Sequence, residues 1–158
     1  MILVIHAHPY PRTSRATAAL LEAVRDLPSL EVRSLYDLSP DFDIDVAAEG
    51  AALQRADLIV LLHPVYWYTV PGILKQWMDV VLTWAQSEGG VATRGKECLW
   101  AIATDNDYDD CVPMVERAAR YCGMRWLEPF VVAGARDLKD EELRAKAGEL
   151  RTRLQEHA

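Results

Sequence analysis

The sequence is short of cysteine and of basic residues, and it has no long apolar run. Its three cysteines, Cys98, Cys111 and Cys122, are widely spaced and form no C-x-x-C pair. That suggests neither a disulfide framework nor a zinc site. They read as small hydrophobes of a core. Lysine and arginine total 17 against 24 acidic residues, for a formal net charge of −7. Nucleic acid needs a basic surface, so it is not the expected partner; a small basic pocket stays open. No apolar stretch reaches the roughly 20 residues of a membrane span. Met1 leads straight into strand-like sequence without a basic n-region or cleavage motif, so the expected location is cytoplasmic. G-x-G-x-x-G, G-x-x-x-x-G-K-[ST] and G-x-S-x-G are all missing. Their absence removes the dinucleotide fingerprint, the P-loop and the hydrolase elbow.

What is present is alternation. Apolar, strand-like runs recur at 1–5, 30–35, 58–62, 98–104 and 127–133. Helical patterns fill 14–27, 46–56, 71–84, 112–122 and 139–156. The order β-α, five times over, predicts a parallel sheet with helices on both faces. Strands one, three and four are near-continuous apolar runs, as buried parallel strands should be. Leu30-Glu31-Val32-Arg33 alternates, which suits an edge. The last helix carries a stripe of Leu143, Ala147, Leu150 and Leu154, with Glu142–Lys146 and Glu149–Arg153 at i,i+4 spacing. With 158 residues, 51% of them hydrophobic, and no repeat or linker, residues 1–158 read as one domain.

Two doubly wound patterns fit this order, Rossmann-like and flavodoxin-like. Both bind ligands at the carboxyl ends of the strands, near the switch point. Three loops follow from that rule. After strand one comes His8-Pro9-Tyr10-Pro11-Arg12-Thr13-Ser14-Arg15, opening a helix. A helix start has unpaired N–H groups and a positive dipole end, and both favour phosphate. His8, Thr13, Ser14, Arg15 and Thr17 add donors. Ser14 can also serve simply as an N-cap. After strand three comes His63-Pro64-Val65-Tyr66-Trp67-Tyr68-Thr69-Val70-Pro71-Gly72. Three consecutive aromatics can line a flat heterocycle, or pack under the loop or in a subunit interface. The loop after strand four is Thr104-Asp105-Asn106-Asp107-Tyr108-Asp109-Asp110. Its alternating acids lack the glycine and distal glutamate of a calcium loop, so no metal is expected. His6 reads as a hydrogen-bonded core residue and His63 as a residue that shapes its loop.

Residues 7–16 (AHPYPRTSRA), 57–79 (DLIVLLHPVYWYTVPGILKQWMD) and 95–104 (GK-x-x-LWAIAT) resemble the flavodoxin-like NAD(P)H:quinone oxidoreductase family. Arg33-Ser34-Leu35-Tyr36, residues 40–45 (PDFDID) and Tyr121-Cys122-Gly123 are similar to one subgroup, the ancillary oxidoreductases of glutathione-gated potassium-efflux systems. The resemblance implies a five-stranded sheet of order 2-1-3-4-5 in a three-layer sandwich. It implies FMN as cofactor, NAD(P)H as co-substrate, a quinone or other small electron acceptor, and a homodimer. On matching positions, His8, Ser14, Arg15, Ala16 and Thr17 would hold the FMN phosphate. Val65, Tyr66, Trp67 and Tyr68 would lie along the isoalloxazine, with Thr104 nearby. Trp77 and Asp79 would serve in packing or in a dimer interface. The resemblance also implies an alternative: a regulatory subunit that activates a potassium-efflux transporter, with weak or lost catalysis, peripheral at the inner face of the membrane. A cofactor-free scaffold is the third reading.

The match fails after strand four. The family pattern there is a Thr-Thr-Gly-Gly turn, then a longer loop with a tyrosine and a histidine that stabilise reduced flavin. Here only Thr104 matches, and Asp105-Asn106 stand where the glycines would be. Tyr108 is a candidate donor without a secure alignment. Reduced FMN is often anionic at N1, so the expectation is an unfavourable charge at Asp105. No catalytic residue is assigned.

Overall fold

The computed structural model describes residues 1–105, 108–109 and 111–157, without the side chain of Arg12. Asn106, Asp107 and Asp110 therefore lie outside the described residues, and so does the calcium pattern read on them.

The strands are β1 (Ile2–His6), β2 (Leu30–Ser34), β3 (Leu58–Pro64), β4 (Glu97–Thr104), β5 (Arg125–Trp126) and β6 (Phe130–Ala133). All pair in parallel, in the order β2-β1-β3-β4-β5, with β6 also on β4. This is the flavodoxin-like order. The expected fifth strand is thus two short pieces along one edge of β4. Pro129 sits between them and has no N–H to give the ladder. β2 is the other edge, as its alternation indicates.

Strand side chains alternate faces, and this divides the core in two. Leu3 and Ile5 join Ile59, Leu61, Trp100 and Ile102 on one face; Ile2 and Val4 join Leu58, Val60, Leu62, Leu99 and Ala101 on the other. The first face is covered by α3 (Val46–Arg55), α4 (Gly72–Trp77), α5 (Thr83–Ser87) and α6 (Val112–Tyr121). The second is covered by α1 (Ala16–Val24) and α7 (Asp140–Gln155). A single-turn α2 (Leu35–Leu38) follows β2 directly.

The expected helix at 71–84 is interrupted. Between α4 and α5 the residues Met78–Leu82 form a wider π-helical turn, with no proline or glycine in it to explain the break. The expected i,i+4 pairs of α7 do not form. Glu142 instead accepts the Lys139 N–H at 2.8 Å, capping the helix, and Lys146 turns to Glu149. Arg153 reaches across to the Glu128 carbonyl.

Two outgoing chains position the site. β1 and β3 are neighbours, yet α1 leaves to one face and α4 to the other. Diverging chains leave a crevice between the strand ends, the topological switch point.

Candidate functional site

A cleft of about 560 Å³ opens at that crevice, within the range of a cofactor pocket. The ten residues that the resemblance assigns to the cofactor all line it: His8, Ser14, Arg15, Ala16, Thr17, Val65, Tyr66, Trp67, Tyr68 and Thr104. Asp105, Ala135 and Arg136 line it too.

The first wall is the β1–α1 turn. Pro11–Thr13 form one 3-10 turn, so α1 starts at Ala16 rather than at Ser14. Ser14 Oγ accepts the Ala18 N–H at 3.2 Å and shares a hydrogen bond with Thr17 Oγ1. Ser14 therefore both caps the helix and faces the cleft. The earlier N–H groups of the helix start have no carbonyl one turn back to bond.

His8 is buried and its Nδ1 accepts the Tyr10 N–H at 3.0 Å. A backbone amide only donates, so neutral His8 carries its proton on Nε2. Burial lowers its pKa, which keeps the ring neutral. The wall thus offers Nε2–H, the one unspent hydroxyl proton of the Ser14–Thr17 pair and helix N–H groups, a donor set suited to a phosphate.

Arg15 differs from the expectation. Its guanidinium donates to the Arg136 and Leu138 carbonyls at 3.3 and 3.0 Å and to Asp140 at 2.7 Å. The side chain is tied to the start of α7, so what Arg15 offers the cleft is its backbone and its hold on the loop.

The second wall is the loop after β3. Tyr66 and Thr69 exchange both N–H···O bonds at 3.0 Å, closing a two-residue hairpin. Its central residues, Trp67 and Tyr68, have φ of 49° and 59°. Positive φ at both positions is the mark of a type I′ turn, which asparagine and glycine normally fill. Two aromatics there cost about 1–2 kcal/mol each. The turn holds Trp67 at 90% and Tyr68 at 59% exposure beside the cleft. Strain of this kind gathers at functional sites. Replacing the pair by Asn-Gly (Trp67→Asn with Tyr68→Gly) should raise stability by about 1–2 kcal/mol. Urea unfolding would read the gain; a loss would mean the turn is not strained.

Beneath this loop, Trp100 Nε1 donates to His63 Nε2 at 2.7 Å, and His63 Nδ1 donates to the Pro64 carbonyl at 2.9 Å. His63 is neutral, satisfied and structural. Tyr108 lies edge-on to Trp100, 6.3 Å between centroids, and is not on the cleft wall. Trp77 is buried and donates to Glu49, a packing role; Asp79 pairs with Lys75 on the surface. The cysteines are buried, with burial pushing Cys98 up to about 12 and Cys111 to about 11, so neither is a nucleophile. Among the described residues no cluster of His, Cys, Asp or Glu is set to hold a metal, and no helix is long and apolar enough to cross a membrane.

A doubly wound sheet of order 2-1-3-4-5, with its cleft at the switch point, defines a flavodoxin-like α/β protein. The family model described as Flavodoxin-like fold matches residues 1–154, and the chain belongs to that family. It is 46% identical over 167 residues to the glutathione-regulated potassium-efflux system ancillary protein KefF of Klebsiella aerogenes, covering 98% of this chain and 94% of that protein. Among solved structures it is similar to general stress protein 14 of Treponema denticola in complex with FMN. The TM-score is 0.85 at 29% identity, over 98% and 97% of the two chains. An NADPH-quinone reductase from P. pentosaceus has a TM-score of 0.83 at 24% identity, over 96% of each chain, a likeness in fold.

Proposed function

We propose that the cleft binds FMN and that the protein is an NAD(P)H:quinone oxidoreductase, acting as one domain over residues 1–158 and as a homodimer. The observation that carries this reading is one cleft with neutral phosphate donors on one wall and a strained aromatic hairpin on the other. The FMN held by the Treponema denticola relative supports it. When bound, FMN supplies the two-electron relay from a nicotinamide to a quinone.

The protein's own residues bind and orient. His8 Nε2–H, the one unspent hydroxyl proton of the Ser14–Thr17 pair and the N–H groups of Ala16 and Thr17 hold the phosphate. Val65 and the hairpin residues Tyr66, Trp67 and Tyr68 flank the ring, with Thr104 on the β4 side. Neutral donors suit a dianion that arrives already charged, since no buried cation must be desolvated. Replacing His8 and Ser14 together by alanine should weaken FMN binding by about 1–3 kcal/mol, the scale of lost hydrogen bonds to a charged group. A fluorescence titration checks this; unchanged affinity would remove the phosphate from this turn. The Asn-Gly hairpin should bind FMN less tightly although it folds more stably.

A second reading runs alongside the first. The 46% identity to KefF supports a regulatory role on a potassium-efflux transporter, with the protein cytoplasmic and peripheral at the inner face of the membrane. It expects transporter activation to survive a variant that binds FMN but cannot pass electrons. A purified protein that fails to bind the transporter's cytosolic domain would end it.

A further inference from the structure

Asp105, at the end of β4, has a partner that lies far away in sequence. Its Oδ1 accepts the Arg136 backbone N–H at 2.7 Å, and Oδ2 lies 3.6 Å from Arg136 Nε. Both residues line the cleft. The Arg136 loop is held on its other side as well. Ala135 N–H donates to the Thr104 carbonyl at 3.3 Å, and Arg15 grips the carbonyls of Arg136 and Leu138. The Arg136 backbone is thus fixed at both its amide and its carbonyl. Its side chain is 83% exposed, with the guanidinium beside the Asp105 carboxylate. Arg15 spends its own guanidinium on this loop, which leaves Arg136 to set the charge on that wall.

We infer that Asp105 and Arg136 work as a charge-balancing pair for the cofactor, Arg136 cancelling the carboxylate at the end of β4 so that anionic reduced FMN is retained. The inference rests on the FMN reading above. A lone carboxylate on the wall would repel the charge that reduction adds. A lone guanidinium would attract it, and the pair leaves it nearly untouched.

The test compares four proteins: wild type, Arg136→Met, Asp105→Asn and the double variant. Each is titrated anaerobically with oxidised and with reduced FMN, and its midpoint potential is measured by dye equilibration. The side-chain carbonyl that Asp105→Asn introduces can still accept the Arg136 amide, so the loop anchor survives that change. Arg136→Met should weaken reduced FMN about tenfold more than oxidised FMN, the order expected of one partly screened unit charge. For a two-electron couple that lowers the potential by about 30 mV. Asp105→Asn should raise it by a similar amount, and the double variant should return close to wild type. A fifth protein, Arg136→Lys, keeps the charge and should hold the wild-type value. FMN bound by all four proteins at coincident potentials would overturn this inference alone. So would single variants that shift the potential in the same direction. No FMN binding by any of them would overturn the FMN reading and this inference together.

Discussion

Glu49→Ala should cost about 3–5 kcal/mol of stability, on the scale of emptying a core position. Glu49 lies on α3, only 3% exposed. Its Oε1 accepts Arg33 Nε and a terminal Arg33 nitrogen at 2.9 and 2.6 Å, and its Oε2 accepts Trp77 Nε1–H at 2.9 Å. One carboxylate therefore joins the edge strand β2 to α4, the helix that follows the aromatic loop. Removing it leaves a half-buried guanidinium whose other carboxylate, Glu31, is 3.8 Å away, and an indole N–H sealed in the core without an acceptor. Both are desolvated groups that lose their partner, and both penalties fall on the folded state. Glu49→Gln keeps an acceptor for Trp77 and should cost less. Urea unfolding gives the difference. A loss under about 1 kcal/mol would mean that water replaces the carboxylate and that the network is not a structural tie.

Stability should also fall between pH 6.5 and pH 4, before most carboxylates titrate. His6 and His63 are each lowered from the ordinary 6.5 to about 4, by burial above all. Neighbouring His8 adds to this for His6, and His6 adds to it for His63, against a raising effect of the Pro64 carbonyl. Above pH 6.5 both rings are neutral in folded and unfolded chains alike, and they carry no pH dependence. Below 6.5 the unfolded chain takes up protons that the folded chain refuses, so folding loses free energy as pH falls. The loss levels off once the folded rings protonate, near pH 4. Each histidine contributes on the order of 3 kcal/mol over that window. His63 has both ring nitrogens satisfied by Trp100 and Pro64 as a neutral ring, whereas His6 Nε2 is buried with no partner among the described residues. Denaturant midpoints at pH 7, 6, 5 and 4.5 would trace the slope. A flat profile down to 4.5 would mean that the two rings are open to protons in the folded state.

The sheet was readable because its physics is local. A buried parallel strand must be apolar on both faces, and Ile2–His6, Leu58–Pro64 and Glu97–Thr104 are nearly so throughout. The split of the last strand was less visible, although Pro129 marks it. The π turn at Met78–Leu82 has no proline or glycine to signal it. In the cleft, the loops after β1, β3 and β4 could be chosen from strand order alone. The loop after β6 could have been chosen by the same rule, since Gly134-Ala135-Arg136 also follows a strand end. Its link to Asp105 and Arg15 spans more than a hundred residues on one side and could not be read from spacing. Nor could the left-handed turn at Trp67-Tyr68, because the Asn-Gly signal that normally announces it is absent. The unfavourable charge expected at Asp105 was read from that residue by itself; its contact with Arg136, thirty-one residues on, has no signal in the spacing.

The most direct test of the central claim is an absorbance titration of the purified protein with FMN, followed through the flavin bands. A saturable shift with micromolar or tighter affinity is expected, weakened when His8 and Ser14 are both alanine. No saturable change with wild-type protein would mean that the cleft does not hold FMN, and the electron-transfer reading would fall with it.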